Sequence, residues 1–148
     1  MSNAALIDQV AELWQYHRVQ RGVDISSENI KDFEHKHNVI LPTDFCKFLT
    51  TLNGMEDGEM DNYLMNFWSL EKIEPCDYND EPNYQVIAKN FYLFADWSIH
   101  ALFYAIELLP ISTSVNRICL IGGTSPIFIA QSFTEFLKIY LAGKASHY

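Results

Sequence analysis

The sequence predicts an α+β fold, with N-terminal helices and one C-terminal helix packed around a mostly antiparallel sheet. Three observations predict it. Apolar residues recur at helical spacing before Gly58. After Gly58 come short apolar runs separated by turn signals. A capped amphipathic run then closes the chain. Helices first, then hairpin-joined strands, then one helix is the order of segregated α and β layers.

Each element has its own local cause. Leu6, Val10, Leu13 and Trp14, with Ile7 beside them, predict a first helix from about Ala5 to Gln20, stopped before Gly22. Ser26 or Ser27 can cap a second, with Ile30, Phe33 and His37 along one face. In the third, Pro42 is preorganised for the first turn and Asp44 complements the positive end of the dipole. Phe45, Phe48, Leu49 and Leu52 then mark its buried stripe, and Asn53-Gly54 supplies a left-handed stop. Strands are expected over Tyr63–Trp68, Phe91–Ala95, Ile99–Ile106, Arg117–Ile121 and Ile127–Ile129. Asp96-Trp97-Ser98 reads as the turn between the second and third of these, and Glu74–Asn83, with two prolines, as a long loop. Ser132 and Glu135 form a capping box for the last helix, whose stripe is Phe133, Phe136, Leu137, Tyr140 and Leu141.

A chain of 148 residues is expected to form one domain over 1–148 and to bury about 70% of its unfolded surface. Hydrophobic residues at 49% and aromatics at 14% argue against disorder. Cys46, Cys76 and Cys119 show no metal-ligand spacing and fit buried thiols in a reducing cytosol. The most apolar stretch, Ile99 to Ile111, is broken by His100, Glu107 and Pro110, so no membrane span is expected. No signal peptide is visible, and a cytoplasmic location is the expectation.

Charge is the least even property of the chain. Residues 56–81 hold nine of the nineteen acids and one of the ten bases, a net −8 in a chain of −9. The acids are Glu56, Asp57, Glu59, Asp61, Glu71, Glu74, Asp77, Asp80 and Glu81; the base is Lys72. Such density repels itself, and it either keeps a loop solvated or faces something basic. An acidic pI near 4.8 argues against direct nucleic-acid or anionic-membrane binding.

Catalytic and metal motifs do not assemble from the sequence. Gly122-Gly123 is followed by Thr124-Ser125-Pro126 and reads as a hairpin turn, not a phosphate cradle. Asp57, Glu59 and Asp61 alternate like calcium-loop ligands, but Asn62 and Trp68 stand where such a loop needs glycine and a bidentate glutamate. No cofactor or metal is therefore expected. Asp96 near His100 could form an acid–base pair, although a turn aspartate accounts for it as well. Trp68 and Trp97 each lie beside acidic residues, as interface anchors often do, with core packing as the plainer reading.

These pieces together resemble the SUKH superfamily of bacterial immunity proteins and fungal regulators of cell-wall synthesis. The resemblance rests on Ile30-x-x-Phe33-Glu34 and on Leu41-Pro42-x-Asp44-Phe45-x-x-Phe48-Leu49-x-x-Leu52-Asn53-Gly54. It continues through Phe67-Trp68-x-Leu70-x-x-Ile73, Phe94-Ala95-Asp96, Tyr104-Ala105-Ile106 and Ile129-Ala130-x-Ser132-Phe133-x-Glu135-Phe136-Leu137. It implies helices around a mostly antiparallel sheet, no catalysis, and binding of a cognate toxin, often a nuclease. Trp97 stands where members often have glycine, which supports that turn as a variable contact point. The expected contact residues are Glu56, Asp57, Glu59, Asp61, Trp68, Asp77, Asp80, Glu81, Asp96 and Trp97. A regulatory or scaffolding module without a toxin partner is the alternative.

Overall fold

The computed structural model describes residues 2–78 and 80–148; Asn79, inside the predicted loop, lies outside them. Helices α1 (Asn3–Tyr16), α2 (Ser27–His37) and α3 (Thr43–Leu52) come first. Strands β1 (Met65–Phe67) and β2 (Glu74–Pro75) follow, then a 3-10 helix over Pro82–Ile87. Strands β3 (Phe91–Trp97), β4 (Leu102–Glu107), β5 (Ile118–Ile121) and β6 (Ile127–Ala130) complete the sheet, and α4 (Phe133–Leu141) closes the chain. The fold is α+β, with every strand pairing antiparallel.

Sheet order is β1-β3-β4-β5-β6, and β2 also pairs with β3. Strands β1 and β2 therefore share one flank of β3, end to end. Met65 faces Trp97 and Phe67 faces Ala95; further along, Glu74 faces Leu93 and Pro75 faces Tyr92. A β-bulge between Leu93 and Ala95 turns Phe94 toward the helices, where its ring packs on Phe133 and Phe136. Trp14, Phe45, Phe48, Phe67, Phe133, Phe136 and Tyr140 fill the space between this face and α1, α3 and α4. Each such ring removes enough apolar area to contribute roughly 1.5–3 kcal/mol.

The predicted elements differ from the observed ones where local signals end. Helix α1 stops at Tyr16 and not near Gln20, because Arg18 turns left-handed (φ 58°) and Val19 N–H reaches back to Trp14 O at 2.9 Å. Pro42 is the N-cap of α3, just before its first turn. Asp96 and Trp97 end β3, and the turn falls on the next residues, so β4 starts at Leu102 and not Ile99. The predicted long loop contains β2 and the start of the 3-10 helix.

Two local predictions carry further than their own element. Asn53 is the left-handed cap of α3 (φ 45°), and its side chain also donates to Val23 O at 2.7 Å and accepts from Leu70 N–H at 2.9 Å. It thereby ties the α1–α2 linker to the segment after β1. Gly54 has φ +67°, and a Cβ there would lie 2.5 Å from Trp68 O, so both conformation and space require glycine. Asp44 complements its own helix and also accepts from Thr134 N–H at 2.8 Å, joining α3 to the start of α4.

Candidate protein-interaction surface

The acidic segment runs along the outer flank of β3. It leaves α3 at the Trp97 end, forms β1, turns through Glu71, forms β2 and departs near Phe91. Seven strand residues at about 3.3 Å each make this flank roughly 20 Å long. Within the segment Glu56, Asp57, Glu71, Glu74, Asp77, Asp80 and Glu81 are exposed, and Glu59 is half-buried; Glu74 lies on the flank itself, and Asp77, Asp80 and Glu81 follow the point where the chain leaves it. The segment's one cation, Lys72, is already engaged: its Nζ lies 2.8 Å from Asp57 Oδ1 and 4.7 Å above the Trp68 ring. That pairing holds the Asp57 carboxyl below its usual range, chiefly through the hydrogen bond.

Three expected contact residues are interior, and this corrects the sequence reading. Asp61 is 3% exposed. Its Oδ1 accepts from Tyr63 N–H at 2.8 Å and Met65 N–H at 3.0 Å, and its Oδ2 accepts from the Tyr140 hydroxyl. Tyr140 in turn accepts from Trp14 Nε1–H at 2.8 Å, so the acidic loop is pinned through α4 to α1. Burial raises the Asp61 carboxyl above the ordinary value despite these donors. Burial and the Asp61 charge push the Tyr140 phenol far up, so it stays the donor.

Asp96 and Trp68 are buried against each other, with Trp68 Nε1–H donating to Asp96 Oδ2 at 2.7 Å. They occupy the sheet face turned away from α1, α3 and α4, where the Trp68 ring meets Phe103 edge-on. Trp97 is half-buried at the end of β3, and its Nε1–H donates to Tyr63 O at 2.9 Å. Of the expected contact set, Glu56, Asp57, Asp77, Asp80 and Glu81 are the exposed members.

His100 does approach Asp96, with Nε2 3.7 Å from Oδ2, longer than a hydrogen bond. Among the described residues no group of three or more His, Cys, Asp or Glu side chains could hold a metal ion. Burial raises the Cys76 thiol and pushes Cys119 up to about 12, which leaves both thiols protonated at neutral pH. No helix among the described residues is long and apolar enough to cross a membrane.

The sequence reading missed two concavities beside this flank. The larger, about 830 Å³, lies between the α1–α2 linker, α2 and residues 69–73. Arg21 and Lys36 line it together with Asp24, Glu56 and Glu71, over a floor that includes Phe33 and Ile73. The smaller, about 260 Å³, lies beneath the Asp57–Met60 loop and includes Asn66 and Asp96. Both are assembled from segments distant in sequence, so no local pattern marks them.

Helices on one face of an antiparallel sheet define an α+β protein, and its segment 56–81 carries a run of exposed carboxylates. The chain belongs to the SMI1 / KNR4 family (SUKH-1), whose model matches residues 24–139. Proteins of this family are generally non-catalytic and act in immunity or regulation, and membership supports a protein-interaction role of that kind. No curated protein matches the chain.

Proposed function

We propose that this protein is an immunity protein that binds and neutralises a cognate bacterial toxin of the nuclease class through its acidic flank, in the cytoplasm, as one SUKH-like domain. The observation that carries this reading is the exposure of seven of the segment's nine acids, with its single base already paired. Nucleases present basic clefts to phosphate backbones, and an acidic partner can occupy such a cleft and accelerate encounter. Complementary charge raises association toward about 10⁸ M⁻¹s⁻¹ at low salt.

The test is co-expression with the product of the adjacent reading frame. Relief of toxicity and a stable complex support the reading; a partner that is harmless alone supports the regulatory alternative. In the purified pair, replacing Asp77, Asp80 and Glu81 with lysine is expected to slow association at least about tenfold at low salt. An unchanged rate removes the flank from the mechanism.

A further inference from the structure

The smaller concavity has a floor that is polar, buried and incompletely paired. Asn66 and Asp96 face each other across the β1–β3 register and are 6% and 4% exposed. The Asn66 amide nitrogen donates to Glu59 O at 2.6 Å and is 3.4 Å from Glu56 O. Those two carbonyls fix which end of the amide meets the loop. Asn66 Oδ1 is then left without a partner, the one such buried side-chain atom among the described residues. Native interiors rarely leave an acceptor so, and each case calls for a reason.

The remaining walls are chemically consistent with this floor. Asp96 accepts from Trp68 Nε1–H at 2.7 Å and from His100 N–H at 3.3 Å, and it sits opposite Asn66 in the β1–β3 register. Asp57 lies at the mouth, where Lys72 meets it. Met60 and Ile99, 39% and 78% exposed, form an apolar rim. Ile99 is held there by a turn in which Ser98, Ile99 and His100 all have positive φ (52°, 52° and 66°). Three consecutive left-handed residues, one of them β-branched, are costly, and such strain clusters where a surface is used.

An orphaned amide oxygen beside carboxylates suits a guest that only donates and carries positive charge. A guanidinium meets both needs in one plane, because its fork can serve two acceptors at once. Its methylene stem suits an apolar rim. A lysine ammonium is a more strongly hydrated point charge and loses more on entering. We propose that this pocket receives an arginine side chain of the protein partner, with the guanidinium donating to Asn66 Oδ1 and facing the Asp96 and Asp57 carboxylates. Lys72 is the internal cation that shares the mouth and competes for Asp57. The proposal rests on the reading of a basic protein partner, and it names the group that partner inserts.

The pocket itself is tested without the toxin. The full chain, labelled with ¹⁵N, is titrated with N-acetyl-arginine-N-methylamide and with its lysine counterpart. Saturable shifts are expected at the Asn66 side-chain amide and the Trp68 indole, with affinity about tenfold higher for arginine than for lysine. Asp96→Asn keeps an oxygen for Trp68 and is expected to weaken arginine about fivefold; Lys72→Met frees Asp57 and is expected to tighten it about threefold. Equal affinities, unsaturable shifts spread over all acids, or no gain in Lys72→Met overturns the proposal. The variant with Asp77, Asp80 and Glu81 reversed leaves this pocket intact. If it loses the toxin but still binds the arginine amide, both readings stand. If it keeps the toxin at full rate, the flank reading fails alone.

Discussion

Asp61 and Asp80 belong to the same acidic run, yet the structure uses them in opposite ways. Asp61 is 3% exposed and receives three donors, two of them backbone N–H groups of Tyr63 and Met65. Asp80 is exposed, as are Asp77 and Glu81 near it in sequence. What separates them is the supply of donors. A carboxylate enters the interior only where hydrogen bonds replace its water, and otherwise it stays outside. One end of the segment is therefore pinned by hydrogen bonds to its carboxyl, and the other displays its charge.

The largest expected effect falls on the pinned end. Asp61→Ala strands Tyr140 and two backbone donors, and is expected to cost about 3 kcal/mol. For a chain of this size that lowers Tm by roughly 6–12 °C. The pH dependence sharpens the point. Burial raises the folded Asp61 carboxyl above 3.8, its ordinary value. The folded chain then binds this proton more tightly than the unfolded chain does. Its contribution is most favourable below 3.8 and declines as pH rises through the raised value. Urea melts across that window are expected to show the decline in the native chain and not in Asp61→Asn. A native chain whose Asp61-dependent stability grows with pH would reverse this assignment.

Tyr140→Phe comes next, at about 2 kcal/mol, since it removes one donor to Asp61 and the acceptor for Trp14. Its effect is expected to be strongly non-additive with Asp61→Ala in a double-mutant cycle, because the two side chains share one bond. Additivity would show that α4 does not hold the loop through this contact. Trp68→Phe is smaller, about 1–2 kcal/mol, because Asp96 loses its shortest donor but the ring keeps its place near Phe103.

The same contrast explains what the sequence made legible. Helix α3, the Gly122-Gly123 turn and the Ser132 cap depend on neighbours a few residues away, and all three are found where their patterns place them. The location of Asp61 and Asp96 depends on Tyr140 and Trp68, partners 79 and 28 residues distant. Composition counts their charge but says nothing of those donors. One local signal could have helped: an aspartate whose Oδ1 takes the N–H two residues on, as Asp61 takes that of Tyr63, is a common turn device. The turn after Trp97 was illegible for another reason. Three non-glycine residues at positive φ follow no propensity, and only the surrounding β3–β4 pairing imposes them.

The smallest expected effect on stability belongs to the displayed end. Lysine at positions 77, 80 and 81 removes no buried hydrogen bond, so the change is expected to stay within about 0.5 kcal/mol. The segment carries −8, and exchanging three acids for bases relieves repulsion within it. At low salt the variant is expected to melt slightly higher than the native chain. Near 0.15 M salt the Debye length is about 8 Å, so repulsion between exposed charges farther apart than that is largely screened, and the difference is expected to shrink. Thermal melts at the two salt concentrations check both statements. A loss above about 1 kcal/mol at either would mean that the outer acids hold the fold as Asp61 does, and the division between pinned and displayed charge would fall.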